Sequence, residues 1–294
     1  MKYNELFETV TNRIIANLES TNAKDWKKPW GIATDGSVPH NASTGRPYSG
    51  FNFFNLSFES GKWGCNGWLT YKQAVALGGK VPSKNDPLGG CSYAYYCTTK
   101  VVKDKETNEE KTIWINKVYA IWNVKQIEGL EGLKEYTPPV AGTGLVNKMA
   151  EALDVNLSHG GDKACFIPSI DAVKMPCFEA FDSADHYDST LLHELTHWTG
   201  HKSRLDRLKV CAGFGSDSYA FEELVAELGS AMGCAMLGIP YEGLQHDEYI
   251  KGWLSVLKSD VKHMAKASAL ANKAMTYLLD NSQILETEEI EKVA

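Results

Sequence analysis

Apolar residues recur at helical spacing over residues 3–18, where Leu6, Val10, Ile14, Ile15 and Leu18 form one stripe and Arg13 stands outside it. Residues 39–56 mix turn formers and Arg46 with aromatics, and a short helix is predicted over 70–77. The period then changes to two. Residues 91–102 alternate around Tyr93, Tyr95 and Cys97, and residues 112–123 form a second strand-like run, with a charged hairpin tip at 103–110 between them. These runs predict an antiparallel sheet. Gly129, Gly132, Pro138, Pro139, Gly142 and Gly144 mark a linker over 129–144. Beyond it the pattern predicts a helix over 145–153 and a strand pair at 164–168 and 169–173. Apolar helices follow around Leu191, Leu192 and Leu195 and around Leu224, Val225 and Leu228, with one or two more helices over 249–279. The fold class expected is α+β in two domains, 1–128 and 145–294, the first built on a small antiparallel sheet.

Composition keeps the chain in an ordinary class. It has 294 residues, 43% hydrophobic and 23% charged, which suits a water-soluble globular protein. No apolar run reaches membrane-spanning length and the first residues are no signal peptide, so a cytoplasmic protein without a membrane partner is expected. The seven cysteines are odd in number, scattered and free of Cys-x-x-Cys pairs, which points to reduced thiols and excludes a disulfide scaffold or zinc ribbon.

Charge divides the chain. Residues 1–140 hold 17 Lys+Arg against 14 Asp+Glu, whereas residues 141–294 hold 13 against 23. The N-terminal half is therefore the one suited to a polyanion. It also places aromatic rings beside basic residues: Trp26 and Trp30 among Lys24, Lys27 and Lys28, and Tyr48 two residues from Arg46. Rings flanked by cations in polar loops are what stacking on unpaired bases requires. Most of the other aromatics are expected in the core.

The chemistry concentrates at His193-Glu194-Leu195-Thr196-His197. Residues i and i+4 share a helix face, so His193 and His197 can address one cation. Glu194, one residue round, can act as general base on a water whose pKa zinc brings to about 7. Ser189 or Asp188 can cap this helix and Gly200 can end it. A third ligand at residue 203 is excluded because that position is Ser203. Downstream, Glu223 and Glu227 stand at i, i+4; Glu223 is expected as the third ligand and Glu227 behind a ligand histidine, with Glu222 the alternative ligand. Tyr219, His201 or Arg204 can serve an oxyanion, and an edge strand in the 164–173 pair can hold an extended peptide.

The chain resembles the ArdC-type antirestriction proteins of conjugative plasmids and phages. The resemblance spans nearly the whole length. It rests on Asn41-x-x-Thr-Gly-Arg-x-Tyr-x-Gly-x-Asn52, on Trp68-x-Thr-Tyr-x-Gln73, on His193-Glu-Leu-Thr-His-Trp-Thr-Gly-His-Lys-Ser-Arg-Leu-Asp-Arg207, and on Tyr219-Ala-x-Glu-Glu-Leu-Val-Ala-Glu-Leu228. It implies a single-stranded DNA-binding N-terminal domain joined to a zincin-like metallopeptidase fold that protects incoming DNA from restriction. On its motifs Asn41, Arg46, Tyr48, Asn52, Trp68 and Tyr71 join Trp26, Lys27, Lys28 and Trp30 as candidate DNA contacts. The cofactor expected is Zn2+, or Mn2+ or another divalent metal, and the partners are single-stranded DNA and an unnamed protein substrate. A DNA-masking protein with a non-catalytic, structural metal site is the alternative.

Overall fold

The apolar stripe of the first helix meets those of the last two helices in one continuous core. The computed structural model describes residues 1–20, 38–103, 109–136, 144–208, 216–241 and 247–285. In chain order its elements are α1 (Tyr3–Ser20), β1 (His40–Asn41), α2 (Gly50–Ser60), β2 (Gly67–Thr70), α3 (Tyr71–Ala76), β3 (Ser92–Lys103), β4 (Glu110–Asn123), α4 (Leu145–Ala152), β5 (Asn156–His159), β6 (Cys165–Ile167), β7 (Ala172–Met175), α5 (Ala184–Thr199), α6 (Asp217–Leu237), α7 (Asp247–Ser259) and α8 (His263–Ser282). It is a mixed α and β architecture, as expected. Leu6, Val10 and Ile14 of α1 and Phe51, Phe53 and Phe54 of α2 bury into the same cluster as Leu191, Leu195, Leu224, Leu228, Ala271 and Met275. The Thr11 hydroxyl donates to the Val261 carbonyl at 2.8 Å, pinning α1 to the turn between α7 and α8. Among the described residues no helix is long and apolar enough to cross a membrane.

The N-terminal sheet has the order β1-β2-β4-β3. Its β2–β4 and β3–β4 pairs are antiparallel, as the period of two predicts, but β1 adds in parallel at the far edge. Helix α2 has a sequence of aromatics and asparagines with poor intrinsic helix preference. Tertiary contacts hold it. The Asn52 side chain donates to the Tyr95 carbonyl at 2.6 Å and accepts from the Tyr95 amide at 2.7 Å, while Asn55 donates to the Tyr93 carbonyl at 2.8 Å. Two asparagines thus satisfy the backbone of the outer strand β3, an edge that would otherwise invite pairing.

The C-terminal sheet has the order β5-β7-β6, with β5 parallel and β6 antiparallel to β7. The expected strand pair is β6 and β7; β5 has no alternating signal in its sequence. The sheet lies against α5, and α5 packs on α6. That packing is unusually close. A Cβ added at Gly229 of α6 would sit 2.6 Å from both Oγ1 and Cγ2 of Thr196, and one at Gly233 would sit 2.7 Å from Met275. Gly229→Ala is therefore expected to push α6 from α5 and to cost about 1–3 kcal/mol, read as a lowered urea midpoint. An unchanged midpoint would mean the two helices have room to spare.

Candidate metal centre and nucleic-acid surface

Helix α5 begins earlier than the expected caps. Ser183 takes the N-cap, its hydroxyl accepting from the His186 amide at 2.9 Å, and Asp188 and Ser189 are buried inside the helix. One side of α5 commits Leu191, Leu192 and Leu195 to the core. Another side turns His193 and His197 towards α6, where Glu223 lies between them. His193 Nε2 is 3.4 Å from Glu223 Oε2, and His197 Nε2 is 3.5 Å from Glu223 Oε1. Ligand atoms of all three residues lie within 4.8 Å of one another, the one such group among the described residues. Four ligands at about 2.1 Å in a tetrahedron stand about 3.4 Å apart, so two imidazoles and a carboxylate at these separations fit a divalent cation.

Each imidazole is braced from behind. His193 Nδ1 is 3.5 Å from Glu227 Oε2, and the Tyr241 hydroxyl donates a short bond to Glu227 Oε1. His197 Nδ1 is 3.1 Å from Glu222 Oε1, and Arg207 grips that carboxylate with Nε and Nη2, each at 2.8 Å. Glu222 therefore faces the outer nitrogen of His197, away from the cage that Glu223 enters. Arg207 also donates to the Thr196 carbonyl at 2.7 Å. Gly200 makes this return possible. A Cβ there would meet Leu208 at 2.8 Å and the Arg207 guanidinium at 3.0 Å, so the glycine ends α5 by close approach, with ordinary right-handed dihedrals.

Electrostatics explain why these groups tolerate burial. Burial disfavours a charged His193, but Glu223 and Glu227 outweigh it and its pKa rises to about 9. Burial opposes charge on His197 too, and Glu222 and Glu223 carry it up to about 10. Burial would raise Glu223; its two histidine partners instead hold it far below the usual carboxylate range. In the metal-free protein, protons occupy the role of a cation.

Glu194 is buried on the same helix, and after burial its charge is the next influence raising the Cys165 thiol of β6. The other polar candidates are committed elsewhere. Arg204 pairs with Asp171, lies 3.7 Å above the Trp198 ring centroid and donates to the Trp198 carbonyl. His201 bonds Ser203 at 2.8 Å and is not in the ligand group. Tyr219 is one turn before Glu223 on α6.

The N-terminal candidates divide. Trp26, Lys27, Lys28 and Trp30 lie outside the described residues. Trp68 is fully buried with Leu56, Ala94 and Ile121, its indole nitrogen donating to Ser60, so it cannot stack on a base. Strand β2 runs between β1 and β4 and is covered on both faces, which its flanking polar residues disguised. Asn52 is spent on β3. Asn41 exchanges amide bonds with Gln73, which also completes the capping box of Thr70 at the start of α3. Tyr48 packs on the Trp68 cluster, and burial raises its phenol despite a bond to Asn41. Arg46 is exposed and Tyr71 is 58% exposed. The motif around residues 41–73 is thus largely a structural lock.

The sequence pattern of the N-terminal domain of the anti-restriction factor ArdC matches residues 4–122, and that of zincin-like metallopeptidases matches residues 145–270. The metal-free crystal structure of the antirestriction ArdC protein from plasmid R388 is 35% identical, with a TM-score of 0.77 over 95% of this chain and 98% of that one. The chain belongs to the ArdC antirestriction family. The Mn(II)-bound structure of R388 ArdC is 33% identical with a TM-score of 0.74, covering 94% and 98% of the two chains. The protein y4eC of Sinorhizobium fredii (strain NBRC 101917 / NGR234) is 31% identical over 93% of this chain and 91% of its own. DNA primase TraC of Escherichia coli is 33% identical over 92% of this chain, which spans 27% of the primase's length.

The ArdC-type continuation after His197 now has a physical meaning, since its final arginine returns to lock Glu222. Arg207 and Tyr241 escaped the sequence reading because only tertiary structure brings them to the cage; the basic residue at the end of the motif was the sole signal. Removing either brace with Arg207→Ala or Tyr241→Phe is expected to lower divalent-cation affinity about 10–100-fold while the fold survives, measured by titration of the chelator-treated protein. The raised histidines give a second expectation. Their charges stabilise the metal-free fold in full below 6.5, the ordinary value, and that contribution is lost as pH climbs through about 9 and about 10. A cation requires neutral imidazoles, so its own stabilisation grows over the same rise. The melting-temperature gap between cation-loaded and chelator-treated protein should widen from about pH 6 to about pH 9; a constant gap would exclude this cage.

Proposed function

We propose that the chain is a cytoplasmic antirestriction protein that binds single-stranded DNA through its N-terminal half and hydrolyses a peptide bond of a protein substrate through its C-terminal half. The observation that carries the peptidase reading is the carboxylate of Glu223 spanning the Nε2 atoms of His193 and His197, with Glu194 on the same helix. Those three residues would hold the cation. Two imidazoles and a carboxylate are a donor set of hydrolytic zinc sites, and the Mn(II)-bound R388 ArdC makes manganese the other candidate. A divalent cation there supplies Lewis acidity to a water and to a substrate carbonyl.

The chain's own residues do the rest. Glu194 accepts a proton from the attacking water and returns it to the leaving amine. Glu222 bonds the outer nitrogen of His197 and Glu227 stands 3.5 Å from that of His193, which holds the rings with their Nε2 atoms turned inward. Strand β6 is the edge of its sheet and packs against α5, the helix that carries Glu194, so an extended peptide can add alongside β6 by main-chain bonds close to the cage. Nucleic-acid binding is supported by the basic balance of the first half and by likeness to a chain named a DNA primase. Holding a strand would concentrate the peptidase where restriction acts on entering DNA.

Glu194→Gln keeps the volume and removes the base. It is expected to retain one equivalent of cation and lose peptide cleavage by about 100-fold or more, together with protection of DNA transferred into a restricting host. Cation retained with protection undiminished would instead establish a DNA-masking protein whose metal site is structural.

A further inference from the structure

Strands β3 and β4 pair without interruption from Ser92 opposite Ile121 to Lys103 opposite Glu110. The base of this hairpin is covered by α1 and α2, through Phe7, Phe51 and the two asparagines that bind β3. Each described position from Tyr96 to Lys103 and from Glu110 to Lys117 is exposed or half-exposed. The ribbon leaves the body of the protein with both faces open to solvent.

Its two faces differ. Residues directly opposite each other share a face. One face therefore carries Tyr119 beside Ala94, then Lys117 beside Tyr96, Ile115 beside Thr98, Ile113 beside Lys100 and Lys111 beside Val102. Tyr96 and Tyr119 are 50% and 43% exposed, with ring centroids 6.3 Å apart. Three lysines and two tyrosines thus share about 27 Å of strand. The single acid of the described strands, Glu110, is opposite Lys103 on the other face. Trp114, 71% exposed, also belongs to that other face. Scattered surface aromatics are ordinary. Two adjacent on one face, with one lysine beside them, two more further along and no carboxylate, are a stacking platform with phosphate partners.

We propose that this face of the β3–β4 ribbon seats single-stranded nucleic acid, with bases on Tyr96 and Tyr119 and phosphates at Lys100, Lys111 and Lys117. The inference rests on the DNA-binding half of the proposed function and names its surface. Unpaired bases are the occupant that fits, because a duplex hides the base faces that the rings would take while a strand offers both faces and charge.

The test is fluorescence anisotropy of a labelled thymidine 20-mer with the full-length chain. Tyr96→Ala/Tyr119→Ala is expected to weaken binding at least tenfold with the melting temperature unchanged, both positions being on the surface. Lys100→Ala/Lys111→Ala/Lys117→Ala should flatten the slope of log affinity against log salt by about 2, at about 0.7 per phosphate contact on a single strand. If the parent binds the oligonucleotide and both variants bind like it, the ribbon assignment is wrong and the proposed function stands. If the parent does not bind at all, both fall. If the substitutions leave DNA affinity intact but dissolve a parental dimer in sedimentation, the face joins copies of the chain, and the assignment is overturned.

Discussion

The carboxylate of Glu223 between two imidazoles is the interaction on which the C-terminal half depends. Four acids, Glu194, Glu222, Glu223 and Glu227, are buried or nearly buried around His193 and His197, and Arg207 is bound to one of them, Glu222. Isolated carboxylates do not survive such burial. Two imidazolium protons or one divalent cation with neutral imidazoles bring the same two positive charges, so either state leaves the cluster equally balanced. The cage is therefore balanced as a protonated assembly and would be equally balanced as a metal site. The exchange leaves the helix packing alone, because the close approach of α5 and α6 is set by Gly229 against Thr196.

Helical periodicity is why this site could be read from the chain. His193 and His197 are one turn apart, and so are Glu223 and Glu227; a spacing of four on a helix fixes which groups share a face whatever the tertiary fold does. The braces could not be read the same way. Arg207 arrives through a loop that doubles back over Gly200, with its amide bonded to the Gly200 carbonyl at 2.9 Å, and Tyr241 lies past the end of α6. Their positions follow from packing and have no period. Glu222 illustrates the limit: the sequence leaves it as the alternative to Glu223, and only the turn of 100° between adjacent helix positions sends one to the cage and the other to Arg207.

The N-terminal half was less legible because its aromatics serve two purposes under one composition. Phe51, Phe53, Phe54 and Trp68 are core, yet they are interspersed with Gly, Asn and Ser as surface loops are. Helix α2 has little helical preference of its own and is held by its contacts to β3 and to α8. Strand β2 is covered on both faces, so it lacks the alternation that betrays a half-buried strand. The long hairpin was predicted because β3 and β4 do alternate. Which of its residues face solvent depended on where α1 and α2 stop covering it, and that is a tertiary fact.

The continuous core also constrains how the two halves can cooperate. Side chains of α1 and α2 share a buried cluster with α5, α6 and α8, so a hinge between the halves would have to expose that apolar surface at about 25 cal/mol for each Å². Against that cost, a strand held on the N-terminal half has little means of reshaping a cage built on α5 and α6. A ligand shifts a conformational balance only through a difference in affinity for two populated states. Proximity needs no second state: under the proposed function, a protein engaged on the same strand would meet the cage at a raised effective concentration. The architecture thus favours coupling by tethering over coupling by allosteric change for the proposed DNA-binding surface and hydrolytic site, which share no side chain.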